Sequence, residues 1–224
     1  FVTERALTGE RTRALVELLV ERGIPVTLVS ETIFSTLAET EHPQGIVLLA
    51  ERRERGALDV LAAGRSADEP PLYIALDRVQ DPGNVGTILR TADAVGVTGV
   101  ILLRGSADIY SGKVIRATMG SLFHVPFVTG VTVEELAGFA QKEDLQFLAT
   151  ACDETAETHF SMDFRRGTIV VFGNEANGVS EEILNASQHI YIPMRGSAES
   201  LNVATAVTAV LYEALRQRCW EGNP

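Results

Sequence analysis

Cysteine is nearly absent from this chain: 224 residues carry only Cys152 and Cys219. Two cysteines make no disulfide framework, and neither stands at a metal-ligand spacing. A reducing cytoplasm is the expected setting. Long apolar runs are also missing. Nothing approaches the ~18 residues that a membrane-spanning helix needs, and no signal-peptide pattern is visible, so no membrane association is expected. The chain opens at Phe1 rather than Met, which leaves open a preceding segment, a targeting sequence included. Positive charge is scarce. Lys and Arg number 19 against 30 Asp and Glu, a formal net charge of −11, which argues against a nonspecific nucleic-acid binder and leaves room only for a local basic patch. His42, His124, His159 and His189 are scattered, and each reads as structural or solvated, so no metal site is expected.

A chain of this length forms one large domain or two small ones, and buries roughly 70% of its unfolded surface without staples. Its first part reads as a small α/β unit. Glu10–Arg22 has helical periodicity, with Leu15, Leu18 and Leu19 inward, and Gly23 ends it. Pro25–Val29 and Gly45–Ala50 read as short strands, with a helix capped by Ser30 running to Leu37 between them. A helix is expected within Arg52–Leu61. The polar stretch Gly64–Pro71, with its glycine and two prolines, marks a boundary.

Five apolar runs follow: Leu72–Leu76, Val100–Leu103, Phe147–Thr150, Ile169–Phe172 and Ile190–Ile192. Helical stretches separate them, at Val85–Val95, Lys113–Met119, Val133–Lys142 and Ser180–Leu184. Continuous apolarity alternating with helices predicts an α/β fold, a parallel sheet covered on both faces. A last helix carries Val203, Ala206, Val207, Val210, Leu211, Ala214 and Leu215 on one stripe.

Three of the junctions are unusual. Asp81-Pro-Gly-Asn84-Val-Gly86 follows the first run and opens a helix carrying Arg90. Gly173-Asn-Glu175-Ala-Asn-Gly178 follows Ile169–Phe172. Ile192-Pro-Met194-Arg-Gly, then Ser200-Leu201-Asn202-Val, precedes the last helix. Such loops expose backbone N–H and C=O groups at a helix entrance, a good place to hold a ligand. A dinucleotide-binding oxidoreductase would need Gly-x-Gly-x-x-Gly at the first of them, and the spacing is absent.

Taken together, Asn84 to Ala92, Gly173 to Val179 and Ile192 to Val203 resemble the three motifs of the SpoU (TrmH-type) RNA 2′-O-ribose methyltransferases of the SPOUT superfamily. Ala204 stands where that family commonly has Ser, and Ala176–Asn177 where a Gly–Glu-like pair is common. The resemblance runs from about Leu72 to Arg218. It implies a SPOUT catalytic domain over residues 65–224 with a C-terminal trefoil knot, which general topology rules disfavour. It implies, on weaker marks of which Pro43-Gln-Gly45 is the best, a partial L30-like RNA-binding domain and linker helix over residues 1–64.

The activity so implied is methyl transfer from S-adenosylmethionine to a ribose hydroxyl, with ribosomal RNA favoured over tRNA. The alternatives are a tRNA or antibiotic-resistance methyltransferase, or a catalytically silent RNA-binding or ribosome-assembly protein. The partners implied are RNA and a second copy of the chain, with the C-terminal helix in the dimer interface. By the same resemblance Arg90 is the catalytic arginine, Asn84 lies beside the substrate, Glu175 orients Arg90 or a substrate hydroxyl, and Ser200 and Asn202 hold the active-site loops. The cofactor's adenosine is placed against Gly173, Ile192 and Leu201, with Met194, Thr150 and Gly178 around it. Each residue also has an ordinary reading: Arg90 a surface cation, Asn84 an N-cap, Glu175 a solvated loop acid, Ser200 and Asn202 a capping pair. Arg104, Lys113, Arg116, Arg165 and Arg166 are candidates for RNA contact.

Overall fold

The computed structural model describes residues 1–40, 42–52, 57–64, 69–153 and 156–219. The chain divides into two units, Phe1–Glu54 and Arg55–Pro224.

In the smaller unit, α1 (Glu10–Glu21) and α2 (Glu31–Leu37) form as expected, and Ser30 Oγ accepts from Ile33 N to cap α2. The two expected strands do not. Pro25–Val29 and Gly45–Ala50 shrink to single bridges, Val2 with Leu28 and Val2 with Ile46. The inward face expected of α1 is not buried either: Leu15 and Leu18 are 38% and 41% exposed. Among the described residues here only two apolar ones are buried, Val2 and Phe34, too small a core to cover a helix face. Gly45 has a structural reason: it sits at φ +78, and a Cβ there would stand 2.6 Å from Ala6 Cβ.

In the larger unit, α3 (Asp59–Ala63) is the described part of the helix expected within Arg52–Leu61; residues 53–56, and 65–68 of the boundary stretch, lie outside the described residues. The sheet then follows in chain order: β1 (Leu72–Leu76), β2 (Gly99–Leu103), β3 (Phe127–Val131), β4 (Gln146–Thr150), β5 (Glu157–Thr158), β6 (Thr168–Phe172) and β7 (Gln188–Tyr191). The seven strands lie in the order β3-β2-β1-β6-β4-β7-β5, all parallel. β1, β2 and β6 are buried at every position, as their apolar sequences require. The sequence pattern misses β3, where exposed Thr129 and Gly130 interrupt the run, and the two-residue β5.

Alternate residues of β1 divide the core between the two faces. Leu72, Ile74 and Leu76 pack with residues of α4 (Pro82–Val95), α5 (Gly112–Ala117) and α8 (Val203–Cys219). Tyr73 and Ala75 pack with Leu61 of α3, with α6 (Val133–Lys142) and with Ile183 of α7 (Glu181–Ala186). Asp81 caps α4 by accepting from Asn84 N at 2.7 Å, Pro82 occupies the first turn, and Gly96 at φ +75 ends the helix. Asn84 is therefore inside the helix and not its cap. The apolar stripe of α8 is consumed within the chain, with Val207, Val210, Leu211 and Ala214 fully buried. No helix among the described residues is long and apolar enough to cross a membrane.

Candidate active site

Ligands of parallel α/β sheets sit beyond the carboxyl ends of the strands. Here the loops leaving β1, β4, β6 and β7 converge at that edge. Polar groups tie the first of them to the loop after β6. Asp77, buried at the end of β1, accepts from Ser180 N at 2.7 Å. Arg78 takes a left-handed backbone, φ +55, and its carbonyl accepts from Asn174 Nδ2 at 2.8 Å. Asn174 also closes its own loop. Its backbone pairs with Gly178 in both directions, and its Oδ1 accepts from Ala176 N and Asn177 N at 3.0 and 3.1 Å.

Gly173 is required by this closure. A Cβ there would run into the backbone of Gly178 and Val179. The Cβ direction of Gly173 is filled by the chain itself. At Gly178, by contrast, φ is +67 and a Cβ would meet nothing within 4 Å.

One hydrogen-bonded chain joins the three unusual loops. Asn84 Nδ2 donates to Glu175 Oε1 at 2.9 Å, and Asn202 Nδ2 donates to Asn84 Oδ1 at 3.0 Å. Asn202 Oδ1 is then free to accept from Ala204 N and Thr205 N, at 2.9 and 3.3 Å, which caps α8. Glu175 also accepts from the backbone N–H groups of Gln80 and Asp81, at 3.4 and 3.3 Å. Burial alone would raise the Glu175 carboxyl; bonds from Asn84, its own backbone, Gln80 and Asp81 outweigh that and hold it below the usual carboxylate range. Glu175 is thus an ionised acceptor that fixes which way the Asn84 amide points.

Beside this chain lies a cavity of about 750 Å³, within the range of small-molecule sites. Nine of the expected residues line it: Glu175, Ser200, Asn202, Gly173, Ile192, Met194, Leu201, Thr150 and Gly178. Asn84 is joined to it through Glu175 and Asn202. Arg90 does not line it, and stands exposed further along α4. The lining includes Glu175 and Glu199 but no Lys or Arg, while Ile192, Met194 and Leu201 supply apolar wall from irregular backbone. Such a site fits a cation with a flat apolar ring, as S-adenosylmethionine is. Among the described residues no cluster of His, Cys, Asp and Glu could hold a metal ion.

The sequence reading missed Asp77, Asp81 and Asn174. Asp81 carried a signal, an Asx residue directly before Pro at a helix start. Asp77 carried little, since a single acid at a strand end has many uses.

Known proteins resemble this chain over most of its length. The SpoU rRNA Methylase family matches residues 71–212, and the RNA 2′-O ribose methyltransferase substrate-binding family matches residues 1–55. A 23S rRNA (guanosine-2′-O)-methyltransferase of Bacillus subtilis is 35% identical over 215 residues, covering 94% of this chain and 80% of its own. The structure of an AdoMet-bound rRNA methyltransferase from Sinorhizobium meliloti superposes with a TM-score of 0.81 at 33% identity, covering 94% of this chain and 78% of its own. The SpoU methyltransferase AviRb from Streptomyces viridochromogenes, in complex with AdoMet, gives 0.79 at 30% identity, covering 94% of this chain and 79% of its own. With its parallel sheet, its three joined loops and a family match over most of its length, the chain belongs to the SpoU rRNA methylase family.

Proposed function

We propose that this protein methylates a ribose 2′-hydroxyl of RNA, with S-adenosylmethionine as donor and ribosomal RNA as the substrate class. The observation that carries the reading is the chain Glu175–Asn84–Asn202, set at the edge of a cavity whose charged lining residues are both acids. The cofactor, when bound, supplies a methyl group on a positively charged sulfur. Everything else falls to the protein. Ile192, Met194 and Leu201 take the adenosine, and Thr150, Gly173 and Gly178 shape the surrounding backbone. Ser200 and Asn202 hold the last loop at the entrance of α8. Asn84, its amide fixed by Glu175 and Asn202, positions the ribose for in-line attack; alignment of this kind is worth several kcal/mol.

Arg90 offers a planar fork of N–H donors. Its role is to bind the RNA phosphate and stabilise charge developing on the ribose oxygen. In this reading residues 1–64 serve RNA binding and 65–224 catalysis, the trefoil knot lies in the C-terminal part, and the enzyme works in the cytoplasm as a homodimer. The buried stripe of α8 is spent internally, so a dimer contact involving α8 falls on its outer face, where Tyr212 is 51% exposed. Transfer of labelled methyl from S-adenosylmethionine to RNA, followed by mapping of 2′-O-methyl sites in a deletion strain against wild type, tests the reaction and names the nucleotide. Absence of transfer to every RNA class would sink it.

A further inference from the structure

Two stripes of α4 face different neighbours. Thr91 Oγ1 meets Thr208 Oγ1 of α8 at 3.3 Å, so that side looks toward α8. Gly86 lies against α5, where a Cβ would stand only 3.0 Å from the Ala117 carbonyl carbon. Asp93 Oδ2 meets His124 Nδ1 at 3.4 Å. Arg90 is four residues after Gly86 and three before Asp93, so it lies on that second stripe. Between Ala117 and His124 runs the turn Thr118–Phe123, whose last residues pack against α4, and helical spacing puts the Arg90 position on that side.

That turn is built in an unusual way. Thr118 is buried; its Oγ1 donates to Ile115 O at 2.7 Å and accepts from Gly120 N at 3.4 Å. Met119 is then left-handed at φ +52, followed by Gly120 at φ +101. A non-glycine residue in this region is disfavoured, and such outliers concentrate where ligands are held. The outcome is two large apolar side chains in solvent: Met119 is 77% exposed and Phe123 72%. Cations stand on the two helices beside them. α5 carries Lys113 and Arg116 and no acid, Arg90 adds a third cation, and the one acid on the stripe, Asp93, faces His124. In a chain of net charge −11 this local excess is distinctive.

We propose that Met119 and Phe123 form a stacking platform for an unpaired base of the substrate RNA, with Lys113 and Arg90 along its phosphates. The proposal rests on the RNA-methylation reading above and adds a positioning surface to it. Exposed rings among cations are what single-stranded RNA takes, because every base has a face to stack, whereas a paired helix offers none. Arg90 lies six residues beyond Asn84, about 9 Å along the helix axis. The platform would therefore hold a base next to the methylated ribose and favour unpaired targets.

The test uses the full chain and a short single-stranded RNA containing 2-aminopurine, whose fluorescence is quenched on stacking. Wild type should quench it. Phe123→Ala should lose the quenching and weaken binding about 5- to 150-fold, the range of one lost base–ring stack, and Phe123→Trp should keep both. Met119→Gly should also weaken binding while its thermal midpoint stays level or rises, because glycine relieves the left-handed backbone. A fully paired RNA of the same length should bind all four proteins alike. Absence of quenching by wild type, or unchanged affinity in Phe123→Ala, would overturn the platform. So would a smaller sedimenting species for Phe123→Ala than for wild type, which would assign the patch to a second copy of the chain. The stacking assay contains no cofactor, so a protein that stacks RNA yet transfers no methyl refutes the reaction alone, and transfer without stacking refutes the platform alone.

Discussion

Replacing Glu175 by Gln probes the centre of the site with almost no change of shape. The carboxylate accepts from Asn84 Nδ2 at 2.9 Å, from Asp81 N and Gln80 N at 3.3 and 3.4 Å, and from Asn174 Nδ2 at 3.5 Å. Every partner is a donor. A glutamine keeps one acceptor for Asn84 but turns its own NH2 toward the others, so one side of the network becomes donor against donor. Hydrogen bonds to charged groups are worth about 1.5–3 kcal/mol, but three of these four are long and the residue is solvent-exposed, so screening reduces the sum. We expect a net loss of about 1–2 kcal/mol, which for a chain of this size lowers the melting temperature by about 2–8 °C near neutral pH.

The sign with pH follows from the depressed carboxyl. A group whose folded value lies below its unfolded value stabilises fully above the ordinary glutamate range, and that stabilisation disappears as pH falls through the folded value. The gap between wild type and Glu175→Gln should therefore be widest near neutrality and close in acid. Thermal unfolding by circular dichroism across that range measures it. A gap that stays constant with pH would refute an ionised Glu175 as the acceptor for Asn84. Turnover should fall as well, since Asn84 is no longer held, while calorimetric affinity for S-adenosylmethionine changes less.

Arg90→Ala should lower single-turnover methyl transfer by about 10²–10³-fold, the loss of one preorganised donor, with cofactor affinity unchanged because Arg90 stands off the cavity; near-wild-type rates would remove it from the mechanism. Gly173→Ala should cost about 1–3 kcal/mol or more through overpacking against Gly178 and Val179, and should lower cofactor affinity and melting temperature together; normal stability with lost binding would assign the space beside Gly173 to the ligand. Thr132 caps α6 in a capping box with Glu135, on the sheet face away from α4 and α8. Thr132→Ala should cost about 0.5–2 kcal/mol and leave kcat untouched, and a kcat defect there would show that the measured losses are global.

The strands of the catalytic part were legible because a sheet covered on both faces needs unbroken apolar runs, and five such runs stand in the sequence at β1, β2, β4, β6 and β7. The three loop motifs were legible too, since Asn84, Glu175 and Asn202 are rare residues at strand-to-helix junctions. Their joining was not: a hydrogen bond between Asn84 and Asn202 spans 118 positions and depends on β1, β6 and β7 ending at one edge of the sheet. The same holds for Gly173, whose reason is the backbone of Gly178 and Val179 folded back on it. It holds for α8, whose apolar stripe was equally compatible with a partner chain until the packing showed it buried. In the smaller unit local pattern misled, because a short apolar run becomes a strand only when a neighbour is there to pair with it, and here Val2 bridges both segments. Residue type and spacing thus determined which segments fold and which side chains matter. Tertiary structure decided which of them meet, because contact between distant residues is set by sheet order and by the space that backbone leaves, and neither is written in any local stretch of chain.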